Sequence, residues 1–88
     1  MTMSHLTVEV VKKACAFVLQ IEEPGETLKK LALFFQDRHI VIDNLNLHRY
    51  RSGEAMLIIH CQLEKDRIHR TVDLLEKLPG VMELEILK

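Results

Sequence analysis

The residues of this chain with chemistry to offer are five histidines, two cysteines and a cluster of glutamates around one proline and glycine. The histidines are His5, His39, His48, His60 and His69, and the cysteines are Cys15 and Cys61. A structural zinc site needs four ligands in closely spaced pairs. No CxxC and no such Cys/His spacing occurs here. His60 and Cys61 are adjacent, but neighbouring strand residues point to opposite faces and do not converge on one ion. The histidines therefore read as solvated or interface residues. Cys15 and Cys61 fall in phase with apolar positions, as inert buried thiols do. No metal site and no cofactor is expected.

Catalysis by side chains needs a nucleophile beside a base, or paired acids in a cleft. Ser4 lies near the start of the chain and Ser52 in a turn, neither within a motif. Glu22, Glu23 and Glu26 cluster, yet 88 residues leave little depth in which to desolvate a catalytic acid. The expectation is a protein that is not an enzyme. Composition points the same way. A formal net charge of -1 argues against electrostatic nucleic-acid binding, which goes with a basic face. No apolar run approaches the length that crosses a bilayer, and residues 1–9 lack a signal-peptide core. Without a disulfide framework the expected compartment is a reducing cytoplasm. A hydrophobic content of 48% is generous for one small domain and suggests apolar surface covered by a partner subunit.

The elements that must position these groups follow from periodicity. Lys12 to Ile21 reads as a strand. Glu22-Glu23-Pro24-Gly25 reads as a turn, proline fixing one backbone angle and glycine freeing the next. Leu28, Leu31, Ala32 and Phe35 recur at helical spacing, with Phe34 at the edge of the stripe and Leu33 outside it. Ile40 to Tyr50 returns to strand character, Arg51-Ser52-Gly53 signals a hairpin, and Ala55 to Leu63 is a second apolar strand. Ile68, Val72 and Leu75, flanked by Leu74 and Leu78, form a second amphipathic helix that Pro79-Gly80 stops. Val81 to Leu87 is the last strand, alternating Met82, Leu84 and Ile86 with Glu83 and Glu85.

A shift of 40 residues lays Phe17-Val18-Leu19 on Leu57-Ile58-Ile59, Leu28 on Ile68, and Phe34-Phe35 on Leu74-Leu75. Two βαβ halves predict an α+β, ferredoxin-like βαββαβ domain, one four-stranded antiparallel sheet with two helices on one face. It would span residues 12–88, after an N-terminal extension or strand lead-in over residues 1–11. If Cys15, Phe17, Leu19, Ile21, Leu57, Ile59 and Cys61 face the helices, then Ala14, Ala16, Val18, Met56, Ile58 and His60 face out. An apolar centre rimmed by Asn44, Asn46, Gln62 and Glu83 is an association surface, for a homodimer or other partner. The outward positions carry no aromatic platform for RNA bases.

The pattern Ile21-Glu22-Glu23-Pro24-Gly25-x-x-Leu28, followed by His39-Ile40-Val41-Ile42, resembles the ACT domain. Within that family the stretches Leu33-Phe34-Phe35-Gln36-Asp37-Arg38-His39, Ile42-Asp43-Asn44-Leu45 and Leu75-Glu76-Lys77-Leu78-Pro79-Gly80-Val81 are similar to the small regulatory subunit of acetolactate synthase. The resemblance implies a regulatory dimer or higher homo-oligomer in branched-chain amino-acid biosynthesis. Its partner would be the thiamine-diphosphate-dependent catalytic subunit. It also implies an amino-acid site between the first turn of one protomer and the second strand of its neighbour, here Glu22, Glu23, Pro24, Gly25, Glu26 and Thr27 with Val41 and Ile42. A helix N-terminus suits the ligand's carboxylate, and a glycine at position 25 keeps that backbone open. The valine-responsive subunits place asparagine where this chain has Glu22 and Val41. Glu22 still accepts from an ammonium, whereas Val41 offers no side-chain hydrogen bond. Two altered contacts of about 1 kcal/mol each weaken a valine site roughly ten- to thirty-fold.

Overall fold

The computed structural model describes residues 12–87. The expected extension over residues 1–11, with its strand lead-in from His5 to Val10, lies outside the described residues. The elements are β1 (Lys12–Ile21), α1 (Pro24–Asp37), β2 (Ile42–Arg49), β3 (Ala55–Glu64), α2 (Ile68–Glu76) and β4 (Val81–Leu87), with a short 3-10 turn, Lys65–Arg67, leading into α2. All strand pairs are antiparallel, and the sheet order is β2-β3-β1-β4. The fold is the expected ferredoxin-like βαββαβ arrangement. In it the two halves related by the 40-residue shift supply one inner strand, one helix and one edge strand each.

The inner strands keep the predicted phase. Phe17, Leu19, Ile21, Leu57 and Ile59 are fully buried beneath the helices, and Cys15 and Cys61 are buried with them. Residues directly opposite across β1 and β3 share a face, so the outer side carries the pairs Val18–Ile58 and Ala16–His60. Val18, Met56 and Ile58 are half-buried there, and the rim residues Asn44, Asn46, Gln62 and Glu83 are exposed. Ala16 is buried although it lies on the outer face, its single methyl being shielded by its neighbours.

Three local expectations change. The buried stripe of α1 is Pro24, Thr27, Leu31, Phe34 and Phe35, while Ala32 is exposed. The helix is rotated toward its aromatic pair, because two phenyl rings bury far more apolar area than one alanine methyl. Phe34 and Phe35 meet edge-on with centroids 5.5 Å apart, and Phe35 lies 6.3 Å from Phe17 of β1. The second strand begins at Ile42, since His39 adopts a positive φ of 56° and the Ile40 amide bonds back to the Phe35 carbonyl at 3.0 Å. Ile40 thereby closes the end of α1, and Val41 is left 69% exposed. In β4 a register shift opposite Gln20 and Ile21 places Val81, not Met82, against Ile21. Met82 is then exposed, while Leu84 and Ile86 keep the inward phase.

Cys15 and Cys61 are register partners with their sulfurs 3.8 Å apart, both free. Burial pushes the Cys61 thiol from its usual 9.0 up to about 12, helped by the Cys15 charge and hydrogen bond and by Asp43. Burial also raises Cys15, against the hydrogen bond from Cys61. The unfolded thiol loses its proton near 9, and the folded Cys61 keeps it to about 12. Between those values the folded state binds more protons, so stability is full below that window and falls as pH rises through it, by up to about 1.4 kcal/mol per pH unit for one group. The urea midpoint is expected to drop across this alkaline range more steeply for the native chain than for Cys61→Ala. Equal slopes would show that the thiol is not shielded.

Candidate functional site

The predicted turn is held together more tightly than its sequence implies. Proline suits the first helical position, where its fixed φ matches the helix and its missing N–H leaves no donor unpaired. The structure accordingly starts α1 at Pro24, so that Gly25 belongs to the first helical turn. The residue with unusual backbone is Glu23, at φ 45° and ψ 66° in the left-handed region. Gly25 does not use its conformational freedom; only Gly53 and Gly80 have positive φ among the glycines. What glycine contributes at position 25 is space. A Cβ built there meets nothing within 4 Å.

Glu23 is kept in its strained conformation by three bonds around it. The Glu22 amide donates to the Gly80 carbonyl at 2.9 Å, and the Thr27 amide donates to the Glu23 carbonyl at 3.0 Å. The Thr27 hydroxyl donates to the Glu22 carbonyl at 2.6 Å. Thr27 is buried and its hydroxyl is committed to the turn, and Pro24 is buried as well. These two therefore build the site from behind. Glu22, Glu23, Gly25 and Glu26 form its exposed surface. Among the described residues no side-chain cap hydrogen bond closes the start of α1, the positive end of its dipole. Glu26 sits 3.6 Å from Lys29, a solvated pair worth little to stability.

Val41 and Ile42 lie at the other end of the sheet. Ile42 is in register with Cys61 and so with Cys15, whereas the turn follows Ile21. From Cys15 to Ile21 is about 20 Å at the rise of a strand. Within one copy, then, the structure brings together Glu22 to Thr27 and leaves Val41 and Ile42 apart from them.

Gly80 is the site residue that the sequence reading missed, since Pro79-Gly80 registers there only as a helix stop. Its φ is +97°, and a Cβ on it would land on the Thr27 hydroxyl. The signal was available in the topology. Pairing of β1 with β4 sets Ile21 against Val81, which puts Gly80 beside Glu22. Among the described residues the histidines do not assemble: His60 and Cys61 face opposite sides of β3, and His48 meets Tyr50 edge-on at 5.4 Å. Among the described residues no group of three or more His, Cys, Asp or Glu is placed to hold a metal ion. Among the same residues no helix is long and apolar enough to cross a membrane.

Solved structures share this architecture. The ACT domain from GTP pyrophosphokinase of Chlorobium tepidum superposes with a TM-score of 0.73 over 88% of this chain and 100% of that one, at 15% identity. The chain shares its fold with an ACT domain. A homoserine dehydrogenase from Thiobacillus denitrificans matches at 0.70 and 18% identity over 90% of this chain, which spans only 18% of that protein. The C-terminal domain of the MgtC protein from Mycobacterium tuberculosis matches at 0.67 and 12% identity, over 92% of this chain and 90% of that domain. No family model and no curated protein matches the sequence. At these identities the likeness is one of fold alone.

Proposed function

We propose that this chain is a non-catalytic regulatory ACT domain that works as a dimer and takes an amino acid at the α1 N-terminus. In this reading it serves as the small regulatory subunit of a thiamine-diphosphate-dependent acetolactate synthase in the cytoplasm. One observation carries the ligand site. An open helix start at Gly25, rimmed by carboxylates, has nothing within 4 Å of a Cβ placed there, while Val41 stands 69% exposed at the far end of the sheet. A second copy supplies one to the other. The helix amides would take the ligand's carboxylate, Glu22 or Glu23 its ammonium, and Val41 its apolar side chain.

Gly25→Leu tests the site at a position where a Cβ meets nothing within 4 Å and the backbone is ordinary helix. Calorimetry across the common amino acids is expected to show binding by the native chain, weakened at least about tenfold by Gly25→Leu at an unchanged urea midpoint. No heat from any amino acid at millimolar concentration would overturn the ligand site. The enzyme assignment has its own readout: the chain should co-elute with the acetolactate synthase catalytic subunit and change its turnover. A second reading is a free-standing ACT dimer with another ligand, or one whose pocket has lapsed. It is favoured by the commitment of the Thr27 hydroxyl to Glu22, which leaves carboxylates as the polar side chains facing the site.

A further inference from the structure

The chain carries a net negative charge, yet one cavity collects three of its arginines. The cavity, about 330 Å³, is lined by Arg38, Arg67, Arg70, Thr71 and Leu74. Arg38 caps the C-terminal end of α1, and positions 67, 70, 71 and 74 recur at helical spacing along one side of α2 and its lead-in. The pocket therefore lies between the helices, a full length of α1 from the Glu22–Gly25 turn.

Its three guanidiniums are held differently. Arg38 lies over the Phe34 ring, its Cζ 3.9 Å from the centroid, and its Nη1 donates to the Phe34 carbonyl at 3.4 Å. Arg67 donates through Nη2 to the Arg38 carbonyl at 3.3 Å, tying α2 to the end of α1, and approaches Glu64 at 3.7 Å. Arg70 has no carboxylate within ion-pair distance among the described residues, and neither has Arg38. Of the three arginines only Arg67 thus has a carboxylate within ion-pair distance among the described residues, and like charges lining one cavity are unfavourable unless an anion joins them. The Thr71 hydroxyl is used internally, donating to the Arg67 carbonyl at 2.8 Å, which fixes the turn presenting Arg67 and Arg70. Leu74 closes one side with an apolar wall.

We propose that this pocket binds a small phosphorylated ligand carrying two or more negative charges. Guanidinium forks match phosphate oxygens in pairs, and stacking on Phe34 together with the Arg67 tie holds two of the forks in place before a ligand arrives. The volume is at the small end of ligand sites, which fits a di-phosphate or a compact phosphate ester and not a nucleic-acid strand. The site is separate from the amino-acid site, so either stands without the other.

Titration of the whole chain with inorganic pyrophosphate, followed by amide NMR shifts at low ionic strength, tests it. Saturable shifts are expected at Arg38, Arg67, Arg70 and Thr71, with Gly25 unmoved. Arg70→Ala should weaken binding about tenfold, and Arg70→Lys by less, since lysine keeps the charge but loses the fork. Lys29→Ala, which removes an exposed cation at the other end of α1, should leave it unchanged. Citrate should bind at least about tenfold more weakly than pyrophosphate. The proposal is overturned by absence of saturation in the millimolar range, by equal losses in Arg70→Ala and Lys29→Ala, or by citrate binding as well as pyrophosphate.

Discussion

Gly80→Ala is expected to lower the unfolding free energy by about 2–4 kcal/mol, the sum of a left-handed backbone penalty and an overpacked contact. The backbone at Gly80 has φ +97°, where a side chain is strained, and the new methyl would land on the Thr27 hydroxyl and lie 3.1 Å from Thr27 Cβ and Cγ2. Thr27 has no room to retreat, being buried and bonded to the Glu22 carbonyl at 2.6 Å. Relief must therefore come from moving the Gly80 loop. That loop accepts the Glu22 amide, so the left-handed Glu23 loses part of its support. The substitution should damage stability and the α1 N-terminus together. Thr27→Ala alone should cost about 1 kcal/mol, mainly the lost hydroxyl bond. The double variant should be more stable than the sum of the two by about 1–2 kcal/mol, since removing the hydroxyl vacates the tightest contact. Urea denaturation of the four proteins measures this. Strict additivity would mean that the Gly80–Thr27 contact is not the source of the loss.

Phe17→Ala carries the largest effect expected on the core, about 3–5 kcal/mol. Phe17 is fully buried at the centre of β1, and its ring meets Phe35 of α1 at 6.3 Å. Deleting it opens a cavity where sheet and helix join, between elements that cannot collapse without breaking strand pairing on both sides. A domain of this length holds only some 5–10 kcal/mol in total, roughly. The variant should therefore melt more than about 15 °C below the native chain or lose its cooperative transition altogether. Leu33→Ala serves as the control. Leu33 is 58% exposed, so its truncation should stay within about 0.5 kcal/mol of the native value. A small loss at Phe17 would mean that helix and sheet are not packed through that ring.

The sequence pattern singles out the turn, and the structure shows what the turn is made of. Pro-Gly in sequence suggested a glycine chosen for its freedom of φ. Instead the strained residue is Glu23, and Gly25 is regular helix with an empty space in front of it. A residue pair is a good marker of where a chain turns, because proline limits the options on its own. Which neighbour absorbs the unusual angle depends on what braces it from behind. Here the brace is Gly80 and Thr27, one of them far away in the sequence.

Element order, the end of β1 at Ile21, the start of β4 at Val81, and the inward phase of both central strands were legible from residues alone. An alternation of two along a strand buried on one side leaves a single register that covers the apolar set. The ends of β2, the rotation of α1 toward Phe34 and the bulge exposing Met82 were not legible. Each is a compromise between local preference and the area that a partner element can cover. The separation of Val41 and Ile42 from the turn, and the meeting of Arg38 with Arg67 and Arg70, belong wholly to tertiary structure. Sequence period specifies which way a side chain points from its own element. Only the packing of α1 against α2, and of β4 beside β1, specifies what it meets.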